Sequence, residues 1–328
     1  AAATSMRLGA VTSMRMMSRR DPWVNMLRTT IACAAAAMGG ADAITVLPFT
    51  IALGKPDAFA RRIARNTHIV LQEESGLGRV SDPAGGSFAI EKITDDLATK
   101  AWAVFQELEA EGGMAAALAS GHLQDQIEAV AAERVKRIAT GREAMTGVSA
   151  FPKLGDDGVK VDPWPAAPAG ARAAAVSVRA LKPARLAAPF EALRDAADAH
   201  AAKTGSPPRV FLASLGVTAE HSARTTWIKN LLAAGGIVAA GGDGWTASGD
   251  AARAFADSGA SIACICGADD TYKLLAEATA QALKSAGAKE VLLAGRPGDL
   301  EAALTAAGVD GFLAAGQDML ASRSGLQA

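Results

Sequence analysis

The strongest constraint on the fold is a regular alternation of short apolar runs and helical segments after residue 208. Each apolar run has the length of one buried strand, and each intervening segment has the length and spacing of a helix. This alternation predicts a doubly wound parallel sheet, in which ligands lie beyond the carboxyl ends of the strands, here at 216–221, 267–270 and 295–297. The five runs are VFLASLG (210–216), IVAAGG (237–242), SIACICG (261–267), EVLLAG (290–295) and GFLAAG (311–316).

The first half of the chain carries three more strand–helix patterns, which predict part of a parallel α/β barrel or open sheet. They cannot close a barrel, because eight units take about 250 residues. Either more chain lies upstream or a partner completes the barrel, and the lack of an initial Met favours a fragment. The predicted strands are 9–18, 43–48 and 78–80, and the predicted helices are 23–38, 59–70 and 93–108, the first with Asp21 as its N-cap and Gly39-Gly40 as its stop.

These patterns predict an α/β protein with three parts. Residues 1–145 hold about three βα units of a barrel, with a further helix at 123–138. Residues 146–207 form a Pro- and Ala-rich wrapped linker with one helix at 190–202. Residues 208–328 form a flavodoxin-like domain.

Composition excludes several classes of function. The 33 Lys and Arg residues balance 34 Asp and Glu residues, with a formal net charge of −1, which argues against a dedicated nucleic-acid or anionic-membrane binder. The longest apolar runs fall short of the ~20 residues that span a bilayer. Cys33, Cys264 and Cys266 have no metal-ligand spacing, so we expect buried thiols in a reducing cytoplasm.

Local motifs for chemistry are scarce. The chain has no Walker loop and no G-x-G-x-x-G after a strand, so no nucleotide site is predicted. The turn DPAGGS (82–87) is interpreted as a tight turn that needs positive φ. No catalytic residue and no metal ligand is predicted, since no histidine has a second ligand-type residue at metal-site spacing. The histidines His68, His122, His200 and His221 are interpreted as surface or capping residues.

The first half contains three long runs of residues, RRDPWVNMLRTTIACAAAAMGGADAITVLPF (19–49), PDAFARRIARNTHIVLQEES (56–75) and GRVSDPAGGSFAIEKITDDLATKAWAVFQELEAEGGM (78–114). These runs resemble the adenosylcobalamin-dependent methylmalonyl-CoA mutase family. The resemblance implies the last three units of a (βα)8 TIM barrel that encloses an acyl-CoA, then a wrapped linker and a flavodoxin-like domain of the cobalamin-binding type. The residues of these runs are most similar to those of the small, cobalamin-free chain of heterodimeric members.

The family's cobalamin motif is degraded in this sequence. Chains that bind the cofactor carry D-x-H-x-x-G after the first strand of the flavodoxin-like domain, and the His coordinates cobalt. Aligned without gaps from Gly216, the three motif positions hold Thr218, Glu220 and Ala223. A slip of one residue brings in His221, but it also places Arg224 at the glycine position, where its bulk would crowd the cofactor.

Two further elements of the family's nucleotide-tail site are also altered. The S-x-L element aligns with Cys266-Gly267-Ala268, and the Gly-Gly pair aligns with Ala294-Gly295. The residues that remain as candidates for cofactor binding are Gly216, His221 and Gly295. None of them is predicted to be catalytic.

The resemblance therefore implies a non-catalytic chain that stabilises a homologous catalytic subunit in a heterodimer. The partner would bind adenosylcobalamin, and the acyl-CoA substrate, methylmalonyl-CoA or succinyl-CoA, would be handled by the complex. Two alternatives stay open. In the first alternative, the chain is a catalytic mutase chain that binds cobalamin through His221. In the second, its last domain is a small-molecule or regulatory module that uses 216–221 and 242–244.

Overall fold

The computed structural model describes residues 6–155, 158–166 and 177–321. These residues form two compact units, Ala1–Arg134 with Gly158–Leu186 and Val135–Asp157 with Ala187–Ala328. Two parts of the predicted linker, 156–157 and 167–176, lie outside the described residues, as do both ends of the chain. Each unit is an α/β assembly with its own parallel sheet.

The first unit contains a two-stranded parallel sheet, in which Gly9 pairs with Ala43 and Val11 with Thr45. The first predicted strand is shorter than expected, because the chain turns into a short 3-10 helix at Met14–Met16. The elements are β1 (Gly9–Val11), α1 (Val24–Met38), β2 (Ala43–Thr45), α2 (Ala58–Ile69), α3 (Phe88–Ala110), α4 (Met114–Ser120) and α5 (His122–Ala139), the last belonging to this unit up to Arg134.

The predicted third strand at 78–80 is wrong. This segment is a 3-10 turn, Leu77–Arg79. The chain enters it through Gly76 at φ 64° and reverses again at Asp82 with φ 48°, so too few residues are left for extended pairing. The interpretation of DPAGGS as a turn with positive φ is confirmed by Asp82 and by Gly86 at φ 78°.

Helix α1 is held by a buried amide on its inner face. The Asn25 side chain donates from Nδ2 to the carbonyls of Ser18 and Phe49, both at 2.8 Å, and its Oδ1 accepts from the Ser18 amide at 3.0 Å. Trp23, and not Asp21, is the residue before the helix, and Asp21 takes a φ of 45°, so the predicted N-cap is wrong. The predicted stop is confirmed at Gly39 and Gly40.

Replacement of Asn25 by Ala should lower the free energy of unfolding of α1 by about 3 kcal/mol, because three buried backbone groups lose their partner. Urea-dependent amide hydrogen exchange in α1 measures this change. Asn66→Ala in α2 is the matched control, since the Asn66 side chain is exposed. Equal protection in the two variants would show that the Asn25 amide contributes little.

The predicted helix around 93–108 is confirmed as α3, but its apolar stripe is largely uncovered. Leu108 is buried, whereas Ile93, Leu97 and Val104 are 58%, 61% and 45% exposed. Trp102, 61% exposed, stacks on Phe105 with ring centroids 5.2 Å apart. Within the described residues, this helix therefore presents apolar side chains that the chain itself does not bury.

The second unit is built on a five-stranded parallel sheet with strand order β4-β3-β5-β6-β7. All five predicted strands and the helices between them are confirmed, as is the helix that precedes them. Their bounds are α6 (Ala188–Thr204), β3 (Arg209–Leu215), α7 (Thr218–Ala234), β4 (Val238–Trp245), α8 (Ser248–Asp257), β5 (Ile262–Cys266), α9 (Asp269–Ser285), β6 (Glu290–Ala294), α10 (Glu301–Ala306) and β7 (Gly311–Leu313).

Apolar side chains cover both faces of this sheet. On β3, Phe211 and Leu212 point to opposite clusters and are 1% and 0% exposed, as expected for a central strand between two helical layers. Cys264 and Cys266 lie together in one cluster and Cys33 is buried in the first unit; the prediction of buried free thiols is confirmed for all three. Parallel pairing of β3, β5 and β6 brings their carboxyl ends to one edge.

Candidate functional site

The loop between β3 and α7 is shaped by a glycine and a capping carboxylate. Gly216 has a φ of 83°, and a Cβ at this position would collide with the Glu220 carboxylate. That carboxylate accepts from the amide of Val217 at 2.8 Å. Glu220, which stands at the cobalt-ligand position of the gap-free alignment, therefore stabilises the first turn of α7, where a negative charge is favoured.

His221 is buried, so its interpretation as a surface or capping residue is wrong. The side chain is 5% exposed, and its Nδ1 lies 3.3 Å from Thr225 Oγ1, which in turn lies 2.8 Å from Ser214 Oγ. Its Nε2 has no hydrogen-bond partner within the described residues. A Cβ on Gly244 would lie 3.1 Å from that nitrogen, so the ring edge packs against the backbone of β4.

Arg224 fills the crevice at the carboxyl ends of β5 and β6. Its guanidinium donates to the carbonyl of Gly267 and, at 2.5 Å, to Asp269 Oδ1. The same group lies 4.9 Å above the ring of Tyr272, a cation–π contact. A Cβ on Gly295 would come within 3.2 Å of it, so the glycine leaves room for the arginine.

The Tyr272 ring lies under the Arg224 guanidinium and closes the crevice on that side. Its hydroxyl accepts from the Gly267 amide at 3.0 Å and donates to the Ala294 carbonyl at 2.6 Å, which links the ends of β5 and β6. Burial raises the pKa of this phenol well above its ordinary value, so it remains a neutral hydrogen-bond donor. Arg224 and Tyr272 lie on different helices, so their contact has no signal in local spacing.

The glycine-rich segment 242–244 is also closed. A Cβ on Gly244 would collide with the carbonyl oxygen of Gly216, and one on Gly242 would lie 2.9 Å from Lys229 Nζ. Gly216 donates its amide to the Trp245 carbonyl at 2.9 Å. These glycines therefore let β4 approach the β3–α7 loop closely.

The fold and this crevice define an α/β protein with parallel sheets. At the carboxyl ends of β5 and β6, where a doubly wound sheet binds its ligands, the crevice is filled by the protein's own side chains. The family model described as methylmalonyl-CoA mutase matches residues 1–219. The chain belongs to the methylmalonyl-CoA mutase family.

Curated relatives extend the similarity to nearly the whole chain. The methylmalonyl-CoA mutase small subunit of Streptomyces virginiae is 51% identical over 98% of this chain and 49% of its own length. The small subunit of Propionibacterium freudenreichii subsp. shermanii is 41% identical over 96% of this chain and 48% of its own. The probable small subunit of Mycobacterium tuberculosis is 47% identical over 87% and 45%. The chain thus spans about half the length of these relatives.

The crevice does not fit the cobalamin on which the family depends. A cobalt ligand needs an imidazole nitrogen that reaches solvent, whereas Nε2 of His221 is enclosed. A nucleotide tail needs an open groove past Gly295, whereas Arg224 lies there. Gly216 and Gly295, the other two candidate residues, contact protein side chains of the same unit.

A membrane-spanning helix is not found among the described residues, since none of their helices is both long and apolar enough.

Proposed function

We propose that this chain is part of the small, non-catalytic subunit of a heterodimeric methylmalonyl-CoA mutase. A homologous catalytic chain holds adenosylcobalamin, and the complex, an isomerase, interconverts methylmalonyl-CoA and succinyl-CoA. The radical chemistry is supplied by the cofactor when it is bound to that partner. The three buried free cysteines favour a reducing, cytoplasmic location.

In this proposal, residues 1–145 are part of a TIM barrel, 146–207 a wrapped linker and 208–328 a flavodoxin-like domain. The sheet order β4-β3-β5-β6-β7 supports the last assignment, because it corresponds to the order 2-1-3-4-5 of flavodoxin-like folds. The parallel pair β1–β2, with a helix after each strand, is compatible with successive barrel units.

The observation that carries the proposal is the filled crevice. Arg224 and Tyr272 bond to backbone groups at the ends of β5 and β6 and occupy the space beyond them, where a ligand of a doubly wound sheet would lie. A domain that has lost its ligand keeps its stability when side chains satisfy the exposed backbone groups and occupy the space. A catalytic chain that uses His221 is not supported, because the imidazole would have to leave its packed position.

Assembly with a partner is supported by the surface of the first unit. The exposed stripe of α3, formed by Ile93, Leu97 and Val104, is unusual for a surface that stays in water. Burial of such side chains stabilises an assembly by about 25 cal/mol for each Å² of apolar surface removed from water. The proposed role of this chain is to supply that stabilisation to the complex.

The proposal predicts where cobalamin is found after purification. The chain purified alone and incubated with adenosylcobalamin should show no corrin absorbance and no cobalt after gel filtration. The complex with the catalytic mutase subunit should contain one cobalamin per heterodimer, measured by the corrin spectrum and by metal analysis.

Two controls make this measurement decisive. His221→Leu in this chain should leave the cobalamin content of the complex unchanged, because the imidazole is enclosed. Cobalamin retained by this chain alone, and lost in the His221→Leu variant, would contradict the proposal and support the catalytic alternative.

A further inference from the structure

A cluster of four polar side chains joins the end of α3 to the start of α5. His122 Nε2 lies 3.5 Å from Glu107 Oε1 and 3.3 Å from Glu111 Oε1. The amide nitrogen of Gln126 lies 2.9 Å from the same Nε2 and 3.2 Å from Glu107 Oε1. Helical spacing produces this convergence, because Glu107 and Glu111, like His122 and Gln126, lie four residues apart.

We propose that Glu107, Glu111 and His122 form a Zn²⁺ site. In a tetrahedral zinc site with bonds of 2.0–2.1 Å, neighbouring ligand atoms lie about 3.3 Å apart. The two distances from the imidazole are close to this separation, and the three ligand atoms all lie within 4.8 Å of one another. Small side-chain movements would therefore bring all three onto one ion.

The charge of the cluster also favours a cation. Glu107, Glu109 and Glu111 stand at the carboxyl end of α3, whose last turn has no basic residue. The helix dipole makes this end negative, so carboxylates are unfavourable there. Among the described residues, neither Glu107 nor Glu111 forms an ion pair with Lys or Arg; His122 is their shared partner. A divalent ion would compensate both carboxylates.

The ligand types select the metal. An imidazole with two carboxylates suits Zn²⁺ better than Mg²⁺, which prefers oxygen ligands and keeps its water. The fourth position is filled by water or, after rotation of the amide, by the oxygen of Gln126. The three side chains are 36% (His122), 49% (Glu107) and 35% (Glu111) exposed, so an ion can enter. Bound zinc would cross-link α3 and α5 across α4.

This site was missed by the sequence analysis because its ligands come from two helices. The local spacing around His122 gives no sign of Glu107 or Glu111, yet these two carboxylates approach it in space. The acidic residues lie before a helix break at Gly112-Gly113, and only the turn of the chain there brings His122 to them.

Zinc uptake by the untagged, metal-free 328-residue chain tests the proposal. Zn²⁺ is added in the presence of excess Mg²⁺, and bound zinc is measured after gel filtration. We expect one zinc per chain, with an affinity that falls at least about 100-fold in His122→Ala and in Glu111→Gln. Glu109→Gln is the matched control and should bind like the unchanged chain, because Glu109 is outside the cluster. Co²⁺ substitution should give the intense visible absorption of a tetrahedral site.

Three outcomes would overturn the proposal. The unchanged chain takes up no stoichiometric zinc, or His122→Ala binds as much zinc as Glu109→Gln does. In the third outcome, His122→Ala and Glu111→Gln lower the melting temperature in metal-free buffer. Added zinc then changes the melting temperature of neither the unchanged chain nor the two variants. The last result would identify the cluster as an ion pair alone.

Discussion

The Tyr272→Ala variant should lose about 5 kcal/mol of the free energy of unfolding of the second unit. Removal of a buried aromatic ring costs about 4 kcal/mol through lost burial and a residual cavity. The Gly267 amide and the Ala294 carbonyl also lose the hydroxyl that joins them. Amide hydrogen exchange in β5 and β6, followed against urea, measures the change in the full chain.

Tyr272→Phe separates the ring from the hydroxyl. The phenylalanine ring keeps the packing against Gly267 and the contact of its face with Arg224. The free energy of unfolding should therefore fall by only about 1.5 kcal/mol, because the Gly267 amide and the Ala294 carbonyl lose their partner. Equal losses in the two variants would mean that the hydroxyl alone holds the strand ends together. Unchanged protection from hydrogen exchange in Tyr272→Ala would show that β5 and β6 do not depend on this side chain. It would also count against the conclusion that Arg224 and Tyr272 fill the crevice in place of a ligand.

Much of the second unit was predictable because its inner strands, β3, β5 and β6, are buried on both faces. Runs such as VFLASLG are mostly apolar and end in glycine, which indicates both the strand and the point where the chain must turn. The failures occurred where local pattern and tertiary context differ. The predicted strand at 78–80 contains one apolar residue, Val80, and lies between reversals at Gly76 and Asp82. The helix α3 was predicted correctly from its spacing, but spacing alone does not show that its apolar stripe lacks a covering layer among the described residues.

The candidate site was only partly predictable. The sequence alone predicts that Thr218, Glu220 and Ala223 replace the residues of the family's cobalamin motif, and the bulk of Arg224 predicts an obstructed cleft. The burial of His221 and the stacking of Arg224 on Tyr272 depend on how α7 and α9 pack on the sheet. No local spacing encodes such contacts, because the residues involved are brought together only by the parallel order of the strands.

The Gly244→Ala variant should lower the free energy of unfolding of the second unit by about 3 kcal/mol. The added methyl group would meet the carbonyl oxygen of Gly216, which is backbone and cannot rotate away, and would press on Nε2 of His221 at 3.1 Å. Urea-dependent hydrogen exchange in β3 and β4 measures the loss.

Gly249→Ala provides a matched control with the opposite sign. Gly249 lies in α8 with open space around its missing Cβ, so alanine should stabilise the chain by about 0.5–1 kcal/mol through helix propensity. If 242–244 were instead a ligand loop, Gly244→Ala would leave the free energy of unfolding nearly unchanged and would weaken binding of a small molecule. A large loss of stability without any ligand therefore favours close packing as the reason for glycine at this position, and it removes the main support for a separate small-molecule module.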